Sequence, residues 1–106
     1  MIEDIVWSKQ AEIAYGHIID RIAERFGSAR ARRYAKEVDS EIKTLKQFPG
    51  RGSDEPLLEG SKIPFKRLVI GGLTKVIYHV AVDRIEIADV WDTRMNPKEL
   101  VARVLE

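Results

Sequence analysis

Cysteine is absent from the 106 residues. That excludes a disulfide framework, a thiolate metal site and a cysteine nucleophile, and it makes a reducing compartment the expected setting. Proline and glycine are scarce, at 4 and 7 residues, which rules out a low-complexity or collagen-like chain. No apolar run approaches the ~20 residues needed to cross a bilayer. The opening Met1-Ile2-Glu3-Asp4 is acidic where a secretory signal would be basic. A cytoplasmic chain without a membrane partner is therefore expected. An excess of one charge is missing as well, with 18 Lys and Arg against 17 Asp and Glu mixed along the chain. No tail supplies the concentrated basic footprint of a free-standing nucleic-acid binder. Any positive surface has to be assembled by folding.

What is present is 44% apolar and 33% charged residue content, the composition of a globular chain. At this length it fits one domain, residues 1–106, which buries roughly two-thirds of the surface exposed on unfolding. Asp4 to Trp7 is a short β-prone run, and Ser8 is a candidate N-cap. From Lys9 onward, Ala11, Ala14, Tyr15, Ile18, Ile19, Ile22 and Phe26 recur at three-and-four spacing and lay one apolar stripe along a helix. Gly27 ends it and Ser28 is placed to start a second helix, predicted over about Ala29–Gln47 by Ala31, Tyr34, Ala35, Val38, Ile42, Leu45 and Phe48. Pro49-Gly50 stops it. Two amphipathic helices joined so tightly form an antiparallel hairpin.

Residues 49–64 read as a loop anchored by Leu57 and Leu58, and as the most mobile stretch. Three β-prone runs follow, Phe65–Ile70, Lys75–Val82 and Arg84–Trp91, with links short enough for an antiparallel meander. Asn96-Pro97 opens a last short helix, Lys98–Leu105. The expected fold class is α+β: an N-terminal strand, an αα-hairpin packed on one face of a small, mainly antiparallel sheet, and a short C-terminal helix. The other sheet face is expected to stay open for function.

The residues that carry a family resemblance are Val6-Trp7-Ser8, the Phe26-Gly27 break before an Arg/Ala-rich helix, Phe48-Pro49, Lys66-Arg67-Leu68-Val69, Val76-Ile77-Tyr78-His79-Val80, and Ile85-Glu86-Ile87 through Val90-Trp91-Asp92-Thr93-Arg94 to Asn96-Pro97. Taken in order over essentially the whole chain, they resemble the RelE/ParE toxins of bacterial type II toxin–antitoxin systems. The resemblance implies a cytoplasmic toxin of a plasmid-stabilisation or addiction module, neutralised by a cognate antitoxin and touching operator DNA only through that antitoxin. Released toxins of this family either inhibit DNA gyrase, in the ParE-like branch, or cleave messenger RNA on the ribosome, in the RelE-like branch. A degenerate member would keep the antitoxin surface without toxicity. Fold alone does not choose between them.

Neither branch calls for a cofactor or a metal. Metal-independent RNA cleavage needs a proton acceptor, a proton donor and positive charge where the phosphorane forms. If the chain is a nuclease, the resemblance points to Arg67 and Arg94 as phosphate clamps and to Tyr78 as a proton donor or stacking group. Asp92 would be a base or an orienting group. Each has a plainer reading: Arg94 paired with Asp92, Tyr78 in the core, Asp92 structural. His79 neighbours Tyr78 on a strand and so faces the opposite way. His17 reads as a surface histidine, Trp7 and Trp91 as core, and Gly71-Gly72 as a turn. Arg30, Arg32 and Arg33 sit at the unfavourable end of a helix dipole, which suggests something acidic opposite them, within the chain or on a partner. Nucleolytic members tend to carry a histidine or tyrosine near the C-terminus, and Met95 to Glu106 has neither. This departure and the near-neutral charge favour the ParE-like, gyrase-directed branch.

Overall fold

The computed structural model describes residues 2–105. Strand β1 (Asp4–Trp7) runs into helix α1 (Lys9–Phe26) through Ser8, whose hydroxyl accepts the Ala11 N–H at 3.0 Å and donates to the Ala88 carbonyl at 2.7 Å. The cap thus also ties the start of α1 to the sheet. Gly27 alone separates α1 from α2 (Ser28–Lys43). Its φ of +93° lies where side chains with a Cβ are strained, and this single residue reverses the chain. Helix α2 stops about four residues before the apolar spacing predicts, and Thr44–Lys46 tightens into a single 3₁₀ turn. Here the Thr44 hydroxyl donates to the Glu41 carbonyl at 2.6 Å, a local bond that competes with the regular helix.

Residues 49–64 are more structured than a plain loop. They contain the two-residue strand β2 (Ser53–Asp54) and a 3₁₀ turn at Pro56–Leu58. Leu58 is buried as expected, whereas Leu57 is exposed. Gly52 packs so closely that an added Cβ would collide with the Arg67 carbonyl oxygen and the Tyr78 hydroxyl. Strands β3 (Lys66–Ile70), β4 (Thr74–Val80) and β5 (Arg84–Asp92) form the antiparallel meander. Helix α3 (Pro97–Leu105) closes the chain. The sheet order is β1-β5-β4-β3-β2, with β1 parallel to β5 and the remaining pairs antiparallel. Among the described residues no helix is long and apolar enough to cross a membrane.

One irregularity decides what faces where. Tyr78 pairs with Ile87 while its neighbour Ile77 pairs with Asp89, so Ala88 is an extra residue in β5 that shifts the alternation by one. Ile85 and Ile87 point to the hairpin with Leu68, Ile70, Val76 and Tyr78. Beyond the bulge, Val90 joins this core and Trp91 turns to the other face. That reverse face is not open, contrary to the expectation from the sequence. Leu100 of α3, Leu58 and Phe65 cover Ile77 and Trp91 there, with Met95, Val101 and Val104 at the margin. The apolar stripe of α3 needs a partner, and the reverse face supplies it.

Candidate functional site

Arg67 lies on this reverse face, beside a carboxylate absent from the sequence-based candidates. Glu55 is fully buried and accepts the Lys75 ammonium at 2.8 Å, with the Arg67 guanidinium at 3.8 Å from its second oxygen. Lys75 also stands 5.9 Å from the centre of the Trp91 ring. Arg67 therefore belongs to a half-covered charge cluster under the 55–65 segment.

Arg94 is on the hairpin side. Its Nε and Nη2 donate to the two oxygens of Asp92 at 3.1 and 2.9 Å, its backbone N–H donates to Oδ1 at 2.9 Å, and Arg21 of α1 donates to Oδ2 at 3.0 Å. The plainer pairing of Arg94 with Asp92 is realised, and α1 is clasped to the end of β5 through it. Guanidinium hydrogen bonds from Arg94 hold the Asp92 carboxyl below its ordinary range. Burial opposes this, and the Arg94 N–H and the charges of Arg94 and Arg21 add to it.

A carboxyl lowered in the folded state contributes its full stabilisation above the unfolded pKa of about 4, and loses it as pH falls through the lower folded value. The wild-type chain is therefore expected to lose more stability between about pH 5 and about pH 2 than Asp92→Asn does. Urea unfolding at a series of pH values measures this. Equal losses in the two chains would mean that the clasp plays no part in acid unfolding.

Tyr78 is in the core. Its hydroxyl donates to the Pro49 carbonyl and accepts the Gly52 N–H, each at 2.9 Å, and burial pushes its pKa up. It fastens the start of the 49–64 segment to β4. His79 points the other way, as strand alternation requires, and meets Glu86 across the strands at 2.9 Å. Of the four sequence candidates, only Arg94 and Asp92 are brought together.

What folding does assemble is a groove of about 620 Å³ between the last turns of α1, the first turns of α2 and the β3–β4 and β5 ends. Arg21, Arg25, Arg30, Arg33 and Arg94 line it, and Tyr34 reaches across from α2 to Thr74 Oγ1 at 2.6 Å and the Ile70 carbonyl at 3.0 Å. Phe26 stands exposed at the mouth with the Arg25 and Arg30 guanidinium groups 5.9 and 5.8 Å from its ring centre. Neither Arg21 nor Arg25 is among the sequence-based site candidates. Their i,i+4 spacing on α1, matched by Arg30 and Arg33 at i,i+3 on α2, is the signal that both pairs share a helix face. Arg32 does not line the groove.

A helical hairpin on one face of this strand order makes an α+β fold, which the chain shares with a chromosomal ParDE toxin–antitoxin system from P. aeruginosa. That likeness has a TM-score of 0.69 over 87% of this chain and 96% of the other, at 19% identity, and speaks for the fold. None of the curated proteins matches the sequence. The family model for the ParE toxin of the type II toxin–antitoxin system parDE matches residues 5–97, and the chain belongs to that family. It is the toxin component of such a module, and a parDE system implies a cognate antitoxin as its partner.

Proposed function

We propose that the free chain inhibits DNA gyrase by protein contact in the cytoplasm, and that the antitoxin keeps it from doing so. The observation that carries this reading is the dispersal of the groups a nuclease would need. Arg67 faces the α3 side, Arg94 the hairpin side, and the Tyr78 hydroxyl is buried on the 49–52 backbone. A reacting phosphate needs its clamp and its proton donor within about 3 Å of one point. The absence of a histidine or tyrosine after Arg94 agrees with this.

Arg94 is more than half exposed despite its hold on Asp92, so its outer edge is available to a partner. Arginine at such a position is a frequent hot spot.

Two assays on the purified chain test the reading. Gyrase supercoiling is expected to be blocked, while a translating extract with primer-extension readout shows no new cuts. Arg94→Ala is expected to weaken the block at least about tenfold with unfolding still cooperative. Codon-specific cuts with unimpaired supercoiling would replace gyrase by the messenger RNA of the ribosome. A chain that leaves growth unaffected when induced alone would be a non-toxic, antitoxin-binding member.

A further inference from the structure

The groove gathers five guanidinium groups against two carboxylates, Glu37 and Asp92, in a chain whose net charge is only +1. Arg21 and Arg94 share Asp92, whereas Arg25, Arg30 and Arg33 form no ion pair among the described residues. Arg30 and Arg33 also stand at the positive end of α2, which has no acidic residue in its first turn and no side-chain cap. The helix dipole disfavours Arg30, in that first turn, most, and Arg33, in the second turn, less. Among the described residues no salt bridge offsets that repulsion, and the Phe26 ring, 5.9 and 5.8 Å from Arg25 and Arg30, offsets only part of it. A local rule broken with so little internal compensation points to a functional surface.

The rest of the groove is apolar. Ile18, Ile22 and Tyr34 line its interior, and Phe26 and Leu73 are 65% and 48% exposed beside the arginines. A nucleic-acid backbone would match the guanidinium groups and leave this apolar surface wet. A polypeptide carrying carboxylates next to a bulky apolar side chain covers both. Arginine suits carboxylates because its planar fork binds them at two points.

We propose that this groove seats an acidic segment of the cognate antitoxin, with a bulky apolar side chain of that segment buried in the groove and carboxylates on Arg25, Arg30 and Arg33. The inference rests on the reading of the chain as an antitoxin-neutralised toxin and says where, and by what chemistry, neutralisation occurs. The seated segment also covers Arg94, so the same contact that binds the toxin hides the residue proposed to meet its target.

The test uses the full purified chain and the product of the adjacent reading frame, with the dissociation constant measured at about 50 mM and about 300 mM salt. Arg25→Gln, Arg30→Gln and Arg33→Gln combined are expected to weaken binding about 100-fold at low salt and to flatten its salt dependence. Arg32→Gln, which removes the same charge from the same helix outside the groove, is expected to change it less than about threefold. Arg33→Glu, as a single exposed change, gives an independent loss of at least about tenfold. A 14-residue peptide of Glu and Asp with two Leu and one Trp is expected to compete at low salt, and a 12-nucleotide single-stranded DNA is not.

Wild-type affinity in the triple variant would overturn the groove assignment and leave the toxin reading intact. Competition by the oligonucleotide but not by the peptide would overturn it in favour of a nucleic-acid site. If the wild-type chain does not bind the neighbouring product at all, the antitoxin reading fails, and the assignment with it.

Discussion

Asp89→Ala is expected to destabilise the chain by about 3 kcal/mol and to loosen α3, because no other side chain can take over what Asp89 holds. Asp89 is fully buried directly after the Ala88 bulge. Its Oδ1 accepts the Val90 N–H at 2.8 Å and the Arg103 Nη2 at 2.6 Å, and its Oδ2 accepts the Trp91 indole N–H at 2.9 Å and the Arg103 Nε at 3.1 Å. Alanine leaves a buried indole N–H and a half-buried guanidinium without an acceptor, and a donor stranded in this way costs far more than the bond's net contribution. Asp89→Asn keeps one acceptor oxygen and should lose about half as much. Urea unfolding followed by tryptophan fluorescence measures both. A loss under about 1 kcal/mol for the alanine variant would show that α3 is held by its apolar contacts with Leu58, Phe65 and Trp91 alone.

Glu55→Ala is expected to cost about 2–3 kcal/mol, whereas Arg67→Ala costs well under 1 kcal/mol. Lys75 lies mostly covered against Glu55, so losing the carboxylate leaves a covered ammonium without its counter-charge. Arg67 is a third exposed and 3.8 Å away, and water replaces what it gives. Combining Glu55→Met with Lys75→Met should recover most of the loss, since a buried ion pair exchanged for apolar groups of similar volume is often neutral. A double variant no more stable than Glu55→Ala would mean that the pair stabilises beyond its own desolvation cost. The small effect at Arg67 also permits a clean growth assay, because any change in toxicity there is not a folding defect.

Much of the architecture was legible because it is written in local spacing. The two apolar stripes, the Gly27 break, and the strand runs Phe65–Ile70, Lys75–Val82 and Arg84–Trp91, which the structure trims or extends by one or two residues at their ends, each follow from residues within a few positions of one another. Trp91 reads as core and is core, although on the side away from the hairpin. Glu55 was not legible. A glutamate between Asp54 and Pro56 in a Pro- and Gly-rich stretch looks like solvent-facing loop, and only its meeting with Lys75, twenty residues on, makes burial tolerable. Arg67 and Arg94 look equivalent at strand ends and are separated by the sheet itself.

The sequence by itself determined the three α-helices, the strands other than β2, their order and the family to which they belong, since periodicity and capping act over one or two turns of chain. Tertiary structure alone decided that the reverse face is covered by α3, that an extra residue at Ala88 turns Asp89 and Trp91 toward it, and that arginines from α1, α2 and the end of β5 line one groove. The physical reason is distance. Charge repulsion and burial depend on which groups lie within a few ångströms, and for residues as far as 71 positions apart, as in the clasp of Arg21 on Asp92, packing sets that separation rather than local pattern.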